Sequence, residues 1–431
     1  MSSEWTLSEL GKEAFNASRP FSFKSHPQVV FVNTGDVLQG KFLHKNISNG
    51  AGLPGQAKKA LKQDDILLTE IRPGNGRYAF VDFPAEKYVV STKFMVIESH
   101  GRVIPRFLYH VLTNQSALDE FQRIAESRSG TFPQITFDSI EHFPVPVPPP
   151  DVQEELAGFF DAIDDRITLL RETNTTLEAI AQTLFKSWFV DFDPVHAKMQ
   201  GRAPEGMDEA TAALFPDSFE DSELGVVPKG WQVGSLADLL KLHKGSVNPL
   251  IHHDVLFSHY SLPAFDNGQI PVFEYGAEIK SNKTTVPTDA VLVSKLNPHI
   301  PRIWLPSVVG SNAVCSTEFL PFVPTSRSTT NFVYALLIEP SFMLSMSQLV
   351  TGTSNSHQRI KPDSVLSRKH LVPHETCIKK FDEVVSSLIE RMKATRQQIQ
   401  SLSALRDTLL PRLISGPLQL PDAQHIVEGA L

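Results

Sequence analysis

At 431 residues the chain exceeds one typical hydrophobic core, and its length suits two domains with connecting segments. Its composition, 41% hydrophobic and 20% charged, is that of a folded protein and excludes a largely disordered chain. The net charge of −8 arises in one segment, since residues 151–230 carry 17 acidic and 6 basic side chains while the flanking segments are nearly neutral. Net charge therefore does not exclude a nucleic-acid partner.

Several other classes of protein are disfavoured by simple patterns. No uninterrupted run of about 18 apolar residues occurs, and the N-terminus lacks a basic flank and an apolar core. We therefore expect a soluble, cytoplasmic protein with no membrane partner. The two cysteines, Cys315 and Cys377, are too few for a disulfide framework or a four-cysteine metal site.

The chain repeats itself at an offset of 225 residues. Four segments recur at this offset without a gap: DDILLTEIRPGNGR from Asp64 matches DAVLVSKLNPHIPR from Asp289, VVSTKF matches VCSTEF, FLYHVL matches FVYALL, and ITFDSI matches IKPDSV. Trp5 and Trp231 match within one residue of it. Repeated spacing with different intervening side chains predicts one scaffold that presents two different surfaces.

Each copy reads as a mixed α/β (α+β) domain. Short β-rich segments alternate with turns containing Gly, Pro and Asn, and one helix is predicted at Pro105–Arg123 with its counterpart at Asn331–Gln348. Both copies end in extended, proline-containing chain, FPVPVPPPD and HLVPHE.

A long helix is predicted after each copy. Apolar residues recur at alternating steps of four and three from Leu156 to Trp188 and from Phe381 to Leu413, interrupted by Asn174, Thr395 and Arg406. This seven-residue repeat is typical of coiled-coil packing, and a lone polar residue in the seam can fix its register. The residues predicted to pair the two helices are Phe160, Ile163, Ile167, Leu170, Leu177, Leu184, Trp188, Val385, Leu388, Met392, Ile399, Leu402, Leu409 and Leu413.

These patterns divide the chain into six predicted segments. They are a first domain at 1–150, a long helix at 151–193, an acidic linker rich in Pro and Gly at 194–230, a second domain at 231–375, a second long helix at 376–416 and a tail at 417–431. Because the chain returns through the second domain, the two helices are expected to pair antiparallel. The linker is expected to run over the surface.

Two helix ends carry a resemblance to a known family. LEAIAQTLFKSWFVDFDPV, followed by ELGVVPKGWQVGSL, closely resembles the central conserved region of specificity (S) subunits of type I restriction-modification systems. LRDTLLPRLISG is similar to the distal region of that family, so the resemblance covers essentially the whole chain. It implies a non-catalytic protein with two target-recognition domains, each reading one half of a bipartite double-stranded DNA site.

The resemblance also implies partners and their cofactors. Such a chain scaffolds two modification subunits, which methylate adenine, and two restriction subunits. No cofactor is expected on this chain, and S-adenosylmethionine, ATP and Mg are expected on the partner subunits.

Motifs that would indicate an enzyme are weak in this sequence. GAGLPG at Gly50 contains a proline and lacks the strand-to-helix context of a dinucleotide site, and the histidines near His252 lack the spacing of a metal site. We therefore expect neither catalytic residues nor a bound metal. Two alternatives remain: a coiled-coil scaffold whose globular ends bind proteins without reading DNA sequence, and an autonomous methyltransferase-nuclease.

The candidate DNA contacts lie on equivalent loops of the two copies. IRPGNGR and LNPHIPR follow matching strands, and SGTFPQ and GTSNSHQR form a second pair. Arginine suits guanine edges or phosphates, and asparagine or glutamine suits adenine. The candidates are Arg72, Asn75, Arg77, Gln134, Asn297, His299, Arg302, Asn355, Gln358 and Arg359.

An aromatic cluster ends the first long helix. Leu184 and Trp188 continue the seam, whereas Phe185, Phe189 and Phe192 are predicted to point off it. The three off-seam rings either pack against the linker or second domain, or serve as anchors that dock a modification subunit.

Insertion of one heptad after Asn174 tests the idea that the helices set a distance. We expect the insertion to change the spacer tolerated between the two DNA half-sites, or to abolish binding, because seven residues add about 10 Å of helix. The measurement is binding to duplexes with graded spacers. An unchanged spacer preference would contradict the idea.

Overall fold

The computed structural model describes residues 5–128, 132–349, 358–414 and 418–429. The chain divides into two compact units, Met1–Thr168 with Ser401–Leu431, and Leu169–Gln400. None of the helices in the described ranges is both long and apolar enough to cross a membrane.

The first copy of the repeat contains short strands, short helices and the first long helix. In chain order its elements are β1 (Thr6–Glu9), α1 (Leu10–Glu13), β2 (Ala14–Asn16), β3 (Gln28–Val32), β4 (Val37–Leu38), β5 (Lys41–Phe42), β6 (Ile47–Asn49), β7 (Ala57–Ala60), β8 (Ile66–Thr69), β9 (Tyr78–Phe80), β10 (Tyr88–Ser91), β11 (Phe94–Ser99), α2 (Pro105–Thr113), α3 (Gln115–Arg128), β12 (Pro144–Val147) and α4 (Pro150–Phe189).

The connecting segment and the second copy follow. Their elements are α5 (Asp193–Met199), α6 (Glu209–Ala213), β13 (Phe219–Ser222), β14 (Gly225–Pro228), β15 (Gln232–Ser235), β16 (Leu240–Leu242), β17 (Ser246–Val247), β18 (Leu256–Tyr260), α7 (Leu262–Asp266), β19 (Val272–Tyr275), β20 (Lys283–Thr285), β21 (Val291–Ser294), β22 (Ile303–Trp304), β23 (Ala313–Cys315), β24 (Phe319–Pro324), α8 (Thr330–Ile338), α9 (Pro340–Gln348), α10 (Pro362–Leu366), β25 (Lys369–Val372), α11 (Glu375–Ile414) and α12 (Leu420–Glu428).

The two copies share one sheet topology. One four-stranded sheet has the order β2-β11-β8-β9 in the first copy and β16-β24-β21-β22 in the second. A second sheet has the order β6-β3-β10-β7 in the first copy, and its counterpart is β19-β18-β23-β20, extended by β17. In both, one parallel pairing, β3 with β10 and β18 with β23, lies among antiparallel neighbours. The predicted tandem repeat and the mixed α/β class are therefore confirmed.

The single helix predicted in each copy is in fact two helices. α2 ends at Thr113 and α3 begins at Gln115, while α8 ends at Ile338 and α9 begins at Pro340. The residue at each break is extended and caps the next helix: Asn114 Oδ1 accepts the Ala117 N–H at 2.9 Å, and Glu339 Oε2 accepts the Phe342 N–H at 3.0 Å. A side-chain acceptor at the N-cap satisfies an otherwise unpaired helix donor, so these caps separate the helices.

The long helices α4 and α11 pair antiparallel within each unit. In the second unit, Glu178 lies near Arg396 and Phe185 lies against Phe381. Residue numbers therefore increase along α4 in the direction in which they decrease along α11. In the first unit, Arg406 Nη1 lies 2.7 Å from Asp164 Oδ1. Most of the predicted pairing residues are buried: Phe160, Ile163, Ile167, Leu170, Trp188, Val385, Met392, Ile399, Leu402, Leu409 and Leu413.

The predicted seam is misplaced by one residue where the helices meet the second domain. Leu184 and Leu388 are only half-buried, whereas their neighbours Phe185 and Ile389 are each 2% exposed. Leu177 is also half-buried. A heptad pattern identifies only the residues that face the partner helix. Here α8 covers a second face of α4, so Phe185 contacts Phe332 as well as Phe381.

The aromatic cluster that ends α4 belongs to the core of the second unit. Phe185 and Phe189 are 2% and 8% exposed, and Phe189 packs against Trp231 and Phe332. Phe192, half-buried at the start of α5, contacts Phe219 and Trp231. Phe185 and Phe189 thus have no accessible face to offer a modification subunit. The docking prediction for them is wrong, and the alternative of packing against the linker and second domain describes all three rings.

The segment predicted as a surface linker is an ordered part of that core. It forms α5, α6 and the β13–β14 hairpin, and Val195, Phe215 and Val227 are at most 4% exposed. The acidic, Pro- and Gly-rich composition of the segment is typical of a surface linker, and these three apolar residues are too widely spaced to form a recognisable pattern. Each of them removes apolar surface from water.

Phe185→Ala is expected to destabilise the second unit by about 3–5 kcal/mol, the usual cost of deleting a phenyl ring from a packed core. Ile180→Ala, on the same helix but 43% exposed, is the control and should cost less than about 1 kcal/mol. Denaturant unfolding measures both. Equal, small effects of the two substitutions would contradict the assigned burial of Phe185.

Candidate nucleic-acid interface

The loops that follow β8 and β21 have the same backbone conformation. Thr69 Oγ1 accepts the Ile71 N–H at 3.1 Å, and Ser294 Oγ accepts the Leu296 N–H at 3.2 Å. The next residue adopts a left-handed conformation in both copies, with φ of 46° at Arg72 and 50° at Asn297. Asparagine tolerates this region, whereas an arginine there is uncommon and strained. Such strain persists where the surroundings enforce it, often at functional positions.

A second segment pairs with each of these loops. In the first copy the Arg72 N–H donates to the Pro133 carbonyl at 3.0 Å, and Ile71 forms a bridge with Gln134. In the second copy the Asn297 N–H donates to the Gln358 carbonyl at 2.8 Å, and Leu296 bridges Arg359. We call each combination a recognition loop pair: residues 70–77 with 132–135, and residues 295–302 with 358–360.

The structure thus brings together candidates that the sequence had placed in separate motifs. Residues of both predicted motifs meet in each copy because the backbone pairing is repeated. Asn355 lies outside the described residues. Arg72, Asn75 and His299 are exposed, while Gln134, Asn297 and Gln358 are half-buried.

The two equivalent arginines Arg77 and Arg302 are held by their own domains. Arg77 Nη1 donates to the carbonyls of Gly35 and Val37 at 3.1 and 3.0 Å. Arg302 donates through Nε and Nη2 to the Asp266 carboxylate at 2.7 and 2.8 Å, with 15% of its side chain exposed. Their assignment to DNA contact stays a prediction, and each has a structural role in shaping its loop pair.

Carboxylates hold two other candidates. Gln134 Nε2 donates to Glu70 Oε2 at 3.1 Å, and Arg359 donates through Nε and Nη2 to Glu318, both at 3.1 Å. The hydrogen bonds and negative charge of Glu318 raise the pKa of the Arg359 guanidinium, so it remains cationic. Sequence analysis named Gln134 and Arg359 as candidates but did not predict that the two acids hold them, and Glu318 was consistent with an ordinary charge on a strand surface.

Two further polar groups lie near the loop pairs, and sequence analysis missed the first of them. Lys59 Nζ donates to the Phe94 carbonyl at 2.5 Å, and burial lowers the pKa of Lys59 while the charge of Glu70 opposes that shift. In the second loop pair, within the described part of the chain, the buried Oδ1 of Asn297 accepts no hydrogen bond. An unsatisfied buried acceptor is costly and is expected to gain a donor when a ligand binds.

The two domains meet their helices through different chemistry. In the first unit His110 Nε2 lies 2.7 Å from Asp161 Oδ1, which also accepts Arg106 Nε at 2.7 Å. Burial alone would raise the pKa of Asp161, but the hydrogen bond and charge of His110, together with Arg106, lower it overall. At the positions 225 residues away, the second copy has Ala335 for His110 and Ser386 for Asp161.

No group of three or more His, Cys, Asp or Glu side chains able to hold a metal ion occurs within the ranges that the structure describes.

Two copies of one scaffold, each with the same loop pair and different polar side chains, define a two-domain recognition protein.

Comparison with known proteins identifies the family. Residues 3–179 match the family model for the type I restriction modification DNA specificity domain. The chain is 35% identical to the type I restriction enzyme HindI specificity subunit of Haemophilus influenzae, over 96% of this chain and 100% of that protein. The MjaIX specificity subunit of Methanocaldococcus jannaschii is 24% identical over 83% of this chain and 78% of its own length. A type I S subunit of M. genitalium, solved by crystallography, matches with a TM-score of 0.49 at 14% identity, over 95% of this chain and 96% of that one.

The chain therefore belongs to the family of type I restriction enzyme specificity subunits. It is a specificity component of a restriction-modification enzyme and not a catalytic subunit. The resemblance in the sequence is confirmed, and the alternatives of a general protein scaffold and an autonomous enzyme have no support.

Arg72→Ala is expected to weaken DNA binding and to reduce the slope of log affinity against log salt by about one, the effect of losing one phosphate contact. Arg77→Ala, its neighbour on the same loop, should instead lower stability by about 1–2 kcal/mol, because it frees two carbonyls from their donor. Binding at several salt concentrations, with thermal unfolding of both variants, separates the two roles. An unchanged salt slope for Arg72→Ala would contradict a phosphate contact.

Proposed function

We propose that each globular domain reads one half of a bipartite double-stranded DNA site through its recognition loop pair. The observation that supports this proposal is that the two copies share a loop backbone but differ in their side chains. Hydrogen bonds at equivalent positions build both loop pairs, yet the position of Arg72 is occupied by Asn297 in the second copy, and the position of Gln134 by Arg359. Base edges in the major groove are distinguished by donor and acceptor patterns, so a fixed backbone with different polar side chains suits two different half-sites.

The proposed contacts fall into two kinds. The exposed cation Arg72 suits a phosphate or a guanine edge, and the exposed polar side chains Asn75 and His299 can reach base edges. Gln134, Asn297, Gln358 and Arg359 lie at the junction of each loop pair. Arg77 and Arg302 shape the loops and contribute positive potential. Asn355 belongs to the same proposal by its sequence position.

The helices are proposed to set the distance between the half-sites. α4 and α11 are each 40 residues long. At about 1.5 Å per residue such a helix extends on the order of 60 Å, which exceeds the roughly 34 Å between half-sites one DNA turn apart. The duplicated scaffold also offers similar surfaces to two copies of one partner.

The partners follow from the same function. We propose that the chain assembles with two adenine-methylating modification subunits and two restriction subunits in the cytoplasm. S-adenosylmethionine, ATP and Mg would be held by those partners, and this chain would supply the sequence preference alone.

Exchange of residues 1–150 for the corresponding domain of another specificity subunit tests the two-half assignment. We expect only one half of the methylated sequence to change, because the second loop pair is untouched. The measurement is a genome-wide map of modified adenines in cells that express the chimaera with its modification subunit. Exchange of residues 231–375 is the matched control and should alter only the other half. A map in which both halves stay unchanged would overturn the proposal.

A further inference from the structure

A third segment of the first domain lies at the same edge as its recognition loop pair. β8 and β10 both end there, because the Glu70 N–H after β8 donates to the Lys93 carbonyl after β10 at 2.9 Å. β3 runs parallel to β10, with Val32 opposite Val90, so β3 ends at this edge as well. The chain that leaves β3, residues 33–46, therefore begins beside the loop pair, and we call it the β3–β6 segment.

Hydrogen bonds in both directions join the β3–β6 segment to the loop pair. Arg77 Nη1 donates to the carbonyls of Gly35 and Val37 at 3.1 and 3.0 Å. In return, the Gln39 N–H donates to the Gly76 carbonyl at 2.7 Å. The segment and the loop pair are thus held side by side.

The second domain has the same joint, but the segment that it holds is different. Arg302, at the position equivalent to Arg77, donates to the Asp266 carboxylate at 2.7 and 2.8 Å. Asp266 belongs to residues 261–271, the β18–β19 segment, which is shorter and contains α7 in place of the β4–β5 hairpin. Loops that vary on a constant scaffold are common sites of binding.

Charge also distinguishes the two segments. The β3–β6 segment contains Lys41 and Lys45 with one acid, Asp36, whereas Asp266 is the one charged residue in the sequence of the β18–β19 segment. A positively charged segment beside a DNA-reading loop suits the phosphate backbone, and an acid held by an arginine does not.

Local contacts fix the backbone on both sides of Lys45. Asp36 follows Gly35, which the loop pair holds, and its Oδ2 lies 3.4 Å from Nε2 of His44. The Asn46 N–H donates to Nδ1 of the same histidine at 3.2 Å. Lys45 itself is exposed, and its ammonium group has no acceptor among the residues that the structure describes. Its side chain therefore extends into solvent from a fixed backbone.

We propose that the β3–β6 segment is a third DNA-contacting segment of the first domain, in which Lys45 binds a phosphate of the half-site that this domain reads. This inference rests on the proposed function, since it extends the surface through which the domain meets DNA. The β18–β19 segment contains no lysine or arginine, so the contact anchors one half-site only. A phosphate contact adds affinity without adding base preference.

The test measures DNA affinity over a range of salt concentrations, in the complex assembled with its modification subunits. We expect Lys45→Ala to lower the slope of log affinity against log salt by about one, with Tm and base preferences unchanged. Lys45→Arg keeps the charge and should keep the slope. Lys87→Ala is the matched control, because Lys87 is also exposed but precedes β10, at the opposite end of that strand. Its slope should equal that of the unsubstituted protein.

Methylphosphonate substitution locates the contact. Each duplex carries one uncharged methylphosphonate, placed at successive backbone positions across both half-sites. At one position of the half-site that changes when residues 1–150 are exchanged, the substitution should weaken binding of the unsubstituted complex about threefold, the scale of an exposed ion pair. The Lys45→Ala complex should no longer respond at that position.

Arg72→Ala separates failure of this inference from failure of the proposed function. If Arg72→Ala lowers the salt slope while Lys45→Ala changes neither the slope nor the methylphosphonate response, the third segment is refuted and DNA reading by the loop pair stands. Equal effects of Lys45→Ala and Lys87→Ala would assign Lys45 to the general field of the protein and would also overturn the contact. If neither Arg72→Ala nor Lys45→Ala alters binding and the complex shows no base preference, the proposed function fails together with this inference.

Discussion

The burial of one face of α4 and α11 is the constraint on which the rest of the structure depends. Neither helix can remove its apolar residues from water alone, and each finds two partners, the antiparallel helix and the domain that packs beside it. Phe381 illustrates this double contact, because its ring meets Phe185 and Trp188 of α4 and also Phe332 of α8. The apolar stripe is accordingly wider than a coiled-coil seam. A domain seated on a helix pair in this way has its loops held by rigid elements.

The contact between the long helices and the globular domain uses different interactions in the two units. In the first unit, charged and hydrogen-bonded groups join helix and domain: Arg406 meets Asp164, and His110 meets Asp161. In the second unit the rings of Phe185, Phe332 and Phe381 are in mutual contact, and the polar groups beside them are Glu178, which accepts the Tyr334 hydroxyl at 2.7 Å, and Arg396, which lies 3.8 Å from Glu178. Partly buried ion pairs must offset their desolvation, whereas apolar packing carries no such cost. The scaffold therefore tolerates very different side chains as long as the shape of the contact between helices and domain is kept.

The same tolerance appears where the domains meet DNA in the proposed function. The backbone of each recognition loop pair is built from main-chain hydrogen bonds and from the hydroxyls of Thr69 and Ser294, which lie at strand ends. Because those interactions are largely independent of the neighbouring side chains, positions such as 72 and 297 are available to vary. A fold organised in this manner can hold a precise surface while its specificity changes.

The sequence by itself determined the repeat, its offset, the mixed fold class, the antiparallel long helices and the motifs that carry the loop pairs, because these depend on local spacing and on residue types that favour turns, strands or helices. Only the tertiary structure decided that Phe185 and Phe189 face inward, that the acidic linker is anchored by Val195, Phe215 and Val227, and that Glu318 holds Arg359. Each of those outcomes depends on a partner distant along the chain. A heptad pattern indicates only which side chains face one neighbouring helix. A charged residue in a sequence does not show which group it pairs with. The packing of the whole domain therefore determined the further contacts of these residues.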